Sequence, residues 1–212
     1  GNITNSGALV VSGVTTVVAG ANDVTLNDAG NNFGTVAITS AGVATINDTN
    51  AVILGASGVT TLNVTAAGNI TNSGALVVSG VTTVVAGAND VTLNDAGNNF
   101  GTVAITSAGA VTLVDTGAID LGASNVTGTF TVTAGGNITN SGDLIFTTTS
   151  AAITFINTAG TANISLNSSG NACSNGVTLR AGAGGGGTFG DITFVDSAGV
   201  DLAAAVGADG TL

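Results

Sequence analysis

The 212-residue chain contains no Lys, His, Glu, Gln, Pro, Met, Trp or Tyr, and its only basic residue is Arg180. Each absence excludes something. With one Arg and a net charge of -11, the chain cannot neutralise a run of phosphates, so nucleic-acid binding is not expected. Attraction to an anionic membrane surface is not expected for the same reason. No apolar run approaches the ~20 residues of a membrane-spanning helix, so no membrane insertion is expected. Cys173 is the only cysteine and cannot close an intrachain disulfide. Apart from Ala and Leu, the strong helix formers are nearly missing, which removes the basis for an α-helical fold.

Most of what remains is Thr, Ser, Asn, Gly, Ala and Val, with all twelve acidic residues supplied by Asp. Gly-rich, biased sequence is often disordered. Here, however, the hydrophobic fraction is 44%, carried by Val, Ile and Leu in short alternating runs that can build a core.

Repetition decides the architecture. Residues 1–42 recur unchanged at 68–109, and GNITNSG appears a third time at 136–142. Fixed-period identity marks a solenoid or array. Ile3, Leu26 and Ile46 head comparable turn-flanked strands, as do Ile70, Leu93 and Leu113. Their spacings predict rungs of about 22 residues, each with three short strands set off by Gly, Asn-Asp or Ser-Gly punctuation. In Thr61–Thr65 and Thr129–Thr133 a period of two turns Leu62, Val64, Phe130 and Val132 inward and the Thr residues outward. The expected fold is therefore all-β: a right-handed parallel β-helix, or β-solenoid, of nine or ten rungs, roughly 45 Å long at about 4.8 Å per rung. A β-propeller is the competing repeat fold, but its blades need longer antiparallel strands and commonly carry aromatic signatures.

Three repeats are expected, at 1–67, 68–135 and 136–212, forming one continuous elongated domain. In the third, ITFVDSAGVDL at 192–202 aligns with VTLVDTGAIDL at 111–121, but lies thirteen residues further from its GNITNSG. The surplus is expected in a Gly-rich loop at about 171–190, which holds Cys173 and Arg180 and is a candidate interaction loop. Neither end reads as a polar cap and no leader is visible, so a segment of a longer array is expected.

GNITNSG, VTLNDAGNNFGTVAITSAG and VTLVDTGAIDLGASNVTGTFTVTAGG resemble the repeats of filamentous-haemagglutinin-like bacterial exoproteins, including autotransporter-type β-helix adhesins. The resemblance covers nearly the whole chain and is weakest over 171–190. It implies a β-helix exported to the bacterial cell surface or beyond, with roles in adhesion, biofilms or filaments.

Chemistry is sparse. Lyases need a strong base and hydrolases need paired carboxylates. The Asp positions here recur with the array, whereas a catalytic site is normally a single break in a pattern. No catalytic residue and no cofactor is expected. Asp28 and Asp48, Asp95 and Asp115, and then Asp196 occupy equivalent positions and form a candidate Ca²⁺ ladder. The simpler reading is that Asn-Asp pairs close turns on their own backbone. Asn27 and Asn47 are candidates for an amide ladder. Asn2, Asn69 and Asn137 begin glycosylation sequons that matter only in a glycosylating host. Outward Thr could order ice, but Thr-x-Thr does not recur in every rung. Cys173 is a candidate for an intermolecular disulfide.

The expected function is structural, as a fibre, filament or adhesin stalk that self-associates end to end or laterally. The alternative is a module that binds a host, glycan or abiotic surface through exposed Thr and Asn faces.

Overall fold

A computed structural model describes residues 1–148, 151–159, 161–173, 176–182, 190–197 and 199, together with the strand Asp201–Val206. The described residues contain strands and turns and no helix. Every strand pairing among them is parallel. The chain coils as a β-solenoid of about 9 turns, the arrangement expected from the repeats.

Two long ladders run the length of the stack. In the first, Ile3 pairs with Val24, Val24 with Ala44, Ala44 with Leu62 and Leu62 with Thr82. It continues from Thr82 through Val103 to Leu121 and Asn140. The second runs from Thr15 through Val36 and Leu54 to Asn72, and on from the neighbouring Thr71 through Thr92 and Thr112 to Thr131. One turn therefore takes 18 to 21 residues over this part of the chain, rather than about 22. The discrepancy arises because Ile3, matched with Leu26 in the sequence, in fact pairs with Val24, while Leu26 stacks with Ile46 as its spacing suggests. Register is set by which residues face each other across turns, and headed strands in the sequence need not coincide with it.

Turns then lengthen. Thr131 pairs with Thr154 and Thr154 with Thr178, steps of 23 and 24 residues. Thr139 pairs with Ser165 and Ser165 with Thr193, steps of 26 and 28. The surplus of the third repeat is thus spread over several turns, beginning before residue 154. Within the expected loop, Ala172–Cys173 and Gly176–Ala181 are strands of the stack. The Gly-rich run at 183–189 lies outside the described residues.

Three strands per turn appear where punctuation is frequent: Ile119–Leu121, Ser124–Val126 and Phe130–Ala134. Ser124–Val126 opens a small third sheet with Leu144–Phe146 and Ala172–Cys173. Elsewhere two sides merge into one bent strand, as in Asn32–Asp48, which belongs to both long ladders. Register shifts between Val11 and Val14 and between Val59 and Leu62 mark such bends.

The identical copies do not sit alike. Ile3–Thr4 lies in the first ladder, whereas its copy Ile70–Thr71 lies in the second. Val10–Val18 lies in the second and its copy Leu76–Val85 in the first. Three turns carry Ile3 to Leu62, and Ile70 then follows on the other sheet. The exact sequence repeat is therefore about three and a half turns, and identical sequence is presented on alternate sheets.

Inside, the alternation predicted for Leu62, Val64, Phe130 and Val132 holds, and all four are buried. Phe130 packs against Phe146 and Phe155 with ring centroids 5.1 and 5.8 Å away. Tilted and edge-on contacts of this kind favour the rings' quadrupoles over face-to-face stacking.

Candidate functional site

The polar residues that interrupt the strands form the most elaborate chemistry of the molecule. Asn31, Asn98 and Asn171 are fully buried. Each ends a matching turn, Asn27-Asp28-Ala29-Gly30-Asn31 in the first case and Asn167-Ser168-Ser169-Gly170-Asn171 in the last. The Oδ1 of each accepts from a backbone amide, that of Leu9, Leu76 or Leu144, at 2.9 Å. Each Oδ1 also accepts the Nδ2 of Asn5, Asn72 or Asn140 at 2.8 Å. Those partners are the second Asn of GNITNSG, and they donate as well to the carbonyls of Gly7, Gly74 and Gly142. The thrice-repeated motif is thus one half of a buried amide pair. The recurrence of Gly-Asn after each turn was the signal for the other half.

Asn27 and Asn47 do not form an amide ladder. Asn47 Nδ2 instead donates to the backbone carbonyl of Asn27 at 2.9 Å. The sequon residues Asn2, Asn69 and Asn137 are exposed, and each Oδ1 accepts a backbone amide of the next turn, from Asp23, Asp90 and Asn163.

The five Asp candidates are engaged with backbone. Asp48 is buried and accepts from Phe33 N–H at 2.7 Å and Asn50 N–H at 2.9 Å. Asp115 does the same with Phe100 at 2.6 Å and Gly117 at 2.7 Å. Asp196 accepts from Cys173 N–H at 3.0 Å. Asp28 and Asp95 close their own turns on Gly30 and Gly97, both at 2.8 Å. Burial raises the pKa of Asp115 from its ordinary value, and the two amide bonds offset only part of that. Among the described residues no carboxylate column continues past Asp48 or Asp115: Asp48 faces Ala66 in the following turn, and Asp115 faces Ala134. Among the described residues no three His, Cys, Asp or Glu side chains gather as a metal-binding group. The arrangement matches the turn-closing chemistry of Asx residues.

Asp120 is held differently, on the outer surface. Thr102 and Thr139, from the turns on either side, each donate a hydroxyl to it at 3.1 Å, and Ser141 donates at 2.5 Å.

Cys173 and Arg180, expected together on a loop, belong to ladder strands. Cys173 is 2% exposed and pairs with Phe146. Burial, and then the nearby charge of Asp196, push its thiol up to about 12. Arg180 stacks on Ile156 in the adjacent turn.

One outward rank is more regular than the sequence suggests. Thr71, Thr92, Thr112, Thr131, Thr154 and Thr178 fall in successive turns at one register position, all half-buried. Their spacing along the chain varies, and the varying turn lengths bring them into line. Two residues on, the rank reads Val114, Thr133, Ile156 and Arg180, so no second Thr rank accompanies it.

A family model described as repeats of unknown function (DUF5649) matches residues 1–40, 41–107 and 108–180. No curated protein and no solved structure matches the chain.

Proposed function

The chain belongs to this family of repeats, and from that premise we propose that it is a non-catalytic structural rod. It serves as a segment of a large secreted bacterial repeat protein, building an extracellular fibre, filament or adhesin stalk. The carrying observation is the unbroken pair of parallel ladders, in which each turn is hydrogen-bonded to the turns before and after it. Such a stack bears load along its length through backbone bonds and a continuous apolar core. The polar side chains reinforce this, since Asn31, Asn98, Asn171, Asp48 and Asp115 all tie turns to backbone. The resemblance of GNITNSG and its companion blocks to filamentous-haemagglutinin-like repeats supports export. So does the composition, acidic and nearly free of basic residues. The test is antibody labelling of intact, unpermeabilised source cells, imaged by electron microscopy. Label on surface fibres or stalks is expected; label that appears only after permeabilisation would overturn the reading.

A second reading, favoured by the six-turn Thr rank, is a surface- or glycan-binding face. Thr hydroxyls at a regular rung spacing of about 4.8 Å can bond a repeating polymer. Replacing Thr112 and Thr131 with Val should then abolish retention on polysaccharide supports. Retention unchanged by that pair would remove the Thr rank from consideration.

A further inference from the structure

We propose that a groove on the small third sheet, lined by Thr106, Asn125, Asp143 and Ile145, binds an amino sugar that carries a free ammonium group. The proposal goes beyond both readings above, neither of which uses that sheet, and it rests on neither.

The groove has a volume of about 290 Å³, and Ala123 and Ser124 complete its lining. Small-molecule sites begin at about 300 Å³, so it suits a single sugar ring. Thr106, Asn125 and Asp143 come from three successive turns. Ile105 N–H donates to Ser124 Oγ at 3.1 Å across the first step, and Asn125 pairs with Ile145 across the second.

The preceding repeat has the same frame with different side chains on it. There Ser57 Oγ accepts Ile38 N–H at 2.9 Å and donates to Gly55 C=O, while Ser57 N–H donates to Ala75 C=O at 2.9 Å. Ser124 makes the matching bonds with Ile105, Gly122 and Asp143 C=O. Gly58 pairs with Val77 as Asn125 pairs with Ile145. On this shared frame Asn125 stands where the earlier repeat has Gly58, Asp143 where it has Ala75, and Ser168 where it has Asp95. Ala172 replaces Asn99 and so trims the residue that pairs with Ile145. The carboxylate has in effect been moved. Asp95 closes its own turn on Gly97 N–H, whereas Asp143 accepts the hydroxyl of Ser168 from the next turn. Four departures from the repeat thus meet at one place.

The groups presented select the ligand. Asp143, Asn125 and Thr106 are all exposed, and half-buried Ile145 adds an apolar surface. The side chains of Asn125 and Thr106 make no hydrogen bond among the described residues. An ammonium complements the Asp143 carboxylate, because charge-assisted hydrogen bonds are about twice as strong as neutral ones. The chain supplies no such cation nearby: Arg180, its only basic side chain, lies on another sheet, paired with Ile156. Its net charge of -11 draws cationic sugars and repels acidic ones. Ring hydroxyls donate and accept, as the Asn125 amide and the Thr106 hydroxyl also do, and the C–H face of the ring covers Ile145.

Titrating the isotope-labelled 212-residue chain with a β-linked glucosamine trimer, followed by amide NMR shifts, tests this. Shifts centred on Thr106, Asn125 and Ile145 are expected. The fully N-acetylated trimer, which has lost the ammonium, is expected to bind about tenfold more weakly. Asp143→Ala and Asn125→Gly restore the residues that the earlier repeat carries on the same frame, so amide shifts far from the groove should stay unchanged. Asp143→Ala is expected to weaken binding of the free-amine trimer about tenfold or more, and Asn125→Gly about fivefold. Absence of binding, equal binding of the two trimers, or affinity untouched by Asp143→Ala overturns the proposal. Shifts spread along the rod wherever Asp is exposed would show attraction by charge alone and overturn it as well. Surface labelling of cells is independent of all these results, so failure of the groove would leave the rod reading in place.

Discussion

At the scale of single residues, the buried amides matter more than the carboxylates that attract attention in the sequence. Asn98 Oδ1 holds both Leu76 N–H and Asn72 Nδ2 in a fully buried site. Asn98→Ala leaves Leu76 N–H without a partner in the buried site, while the half-buried Asn72 Nδ2 keeps only its bond to the Gly74 carbonyl. The expected loss is about 1–3 kcal/mol, that of one unsatisfied buried donor. Asn27→Ala, at an exposed position, is expected to stay within about 0.5 kcal/mol. Equilibrium urea denaturation of the two variants makes the comparison, and equal losses would remove the buried pair as a stabilising element. Cys173 gives a second test at this scale. Its buried thiol, with a pKa raised to about 12, is almost entirely protonated at pH 8, and only the thiolate is a good nucleophile. A disulfide-exchange reagent should label it slowly in the folded chain and rapidly in denaturant. Fast labelling of the folded chain would show that the thiol is accessible and restore it as a cross-linking site.

At the scale of elements, the same motif meets different surroundings in its three copies. A Cβ placed on Gly68 would lie 2.5 Å from Ala51 N, and one on Gly136 would lie 2.8 Å from Ala118 N. The preceding turn passes too close for any side chain there. Gly1, the same residue of the same motif, has nothing within 4 Å. Gly68→Ala is therefore expected to cost about 1–3 kcal/mol by forcing backbone apart, while Gly1→Ala is expected to stay within about 0.5 kcal/mol. Thermal melting of the two single variants checks this. The strand pattern itself was legible: Val24-Thr25-Leu26, Phe130-Thr131-Val132 and Ile153-Thr154-Phe155 all alternate buried and half-buried as a period of two requires. The pairing of those strands was not, because Ile3 was matched with Leu26 by appearance while the ladder joins it to Val24.

For the whole molecule, a repeat of three and a half turns has a mechanical meaning. Each copy is rotated onto the other sheet, so an outward feature encoded once per repeat appears alternately on the two faces. Contacts extend only to neighbouring turns, as in other solenoids. A chain consisting of residues 68–212 begins with the same residues as the full chain and keeps every ladder beyond that point. It should fold with a β-type circular dichroism spectrum of the same intensity per residue and melt somewhat lower, having fewer interfaces. An unfolded spectrum would show that the first three and a half turns nucleate the rest.

The sequence by itself determined that this is a parallel stack with Leu62, Val64, Phe130 and Val132 inside. Repetition and period-two alternation are local properties of the chain, and with strands this short and aromatics this few they point to a coiled parallel stack rather than to propeller blades. The tertiary structure decided the length of the turn, the half-turn offset between copies, the pairing of Asn72 with Asn98, the alignment of the six Thr residues, and the burial of Cys173. All of these depend on which residues meet across adjacent turns. That register emerges from packing and hydrogen bonding between turns, where one bent strand such as Asn32–Asp48 can shift every contact that follows.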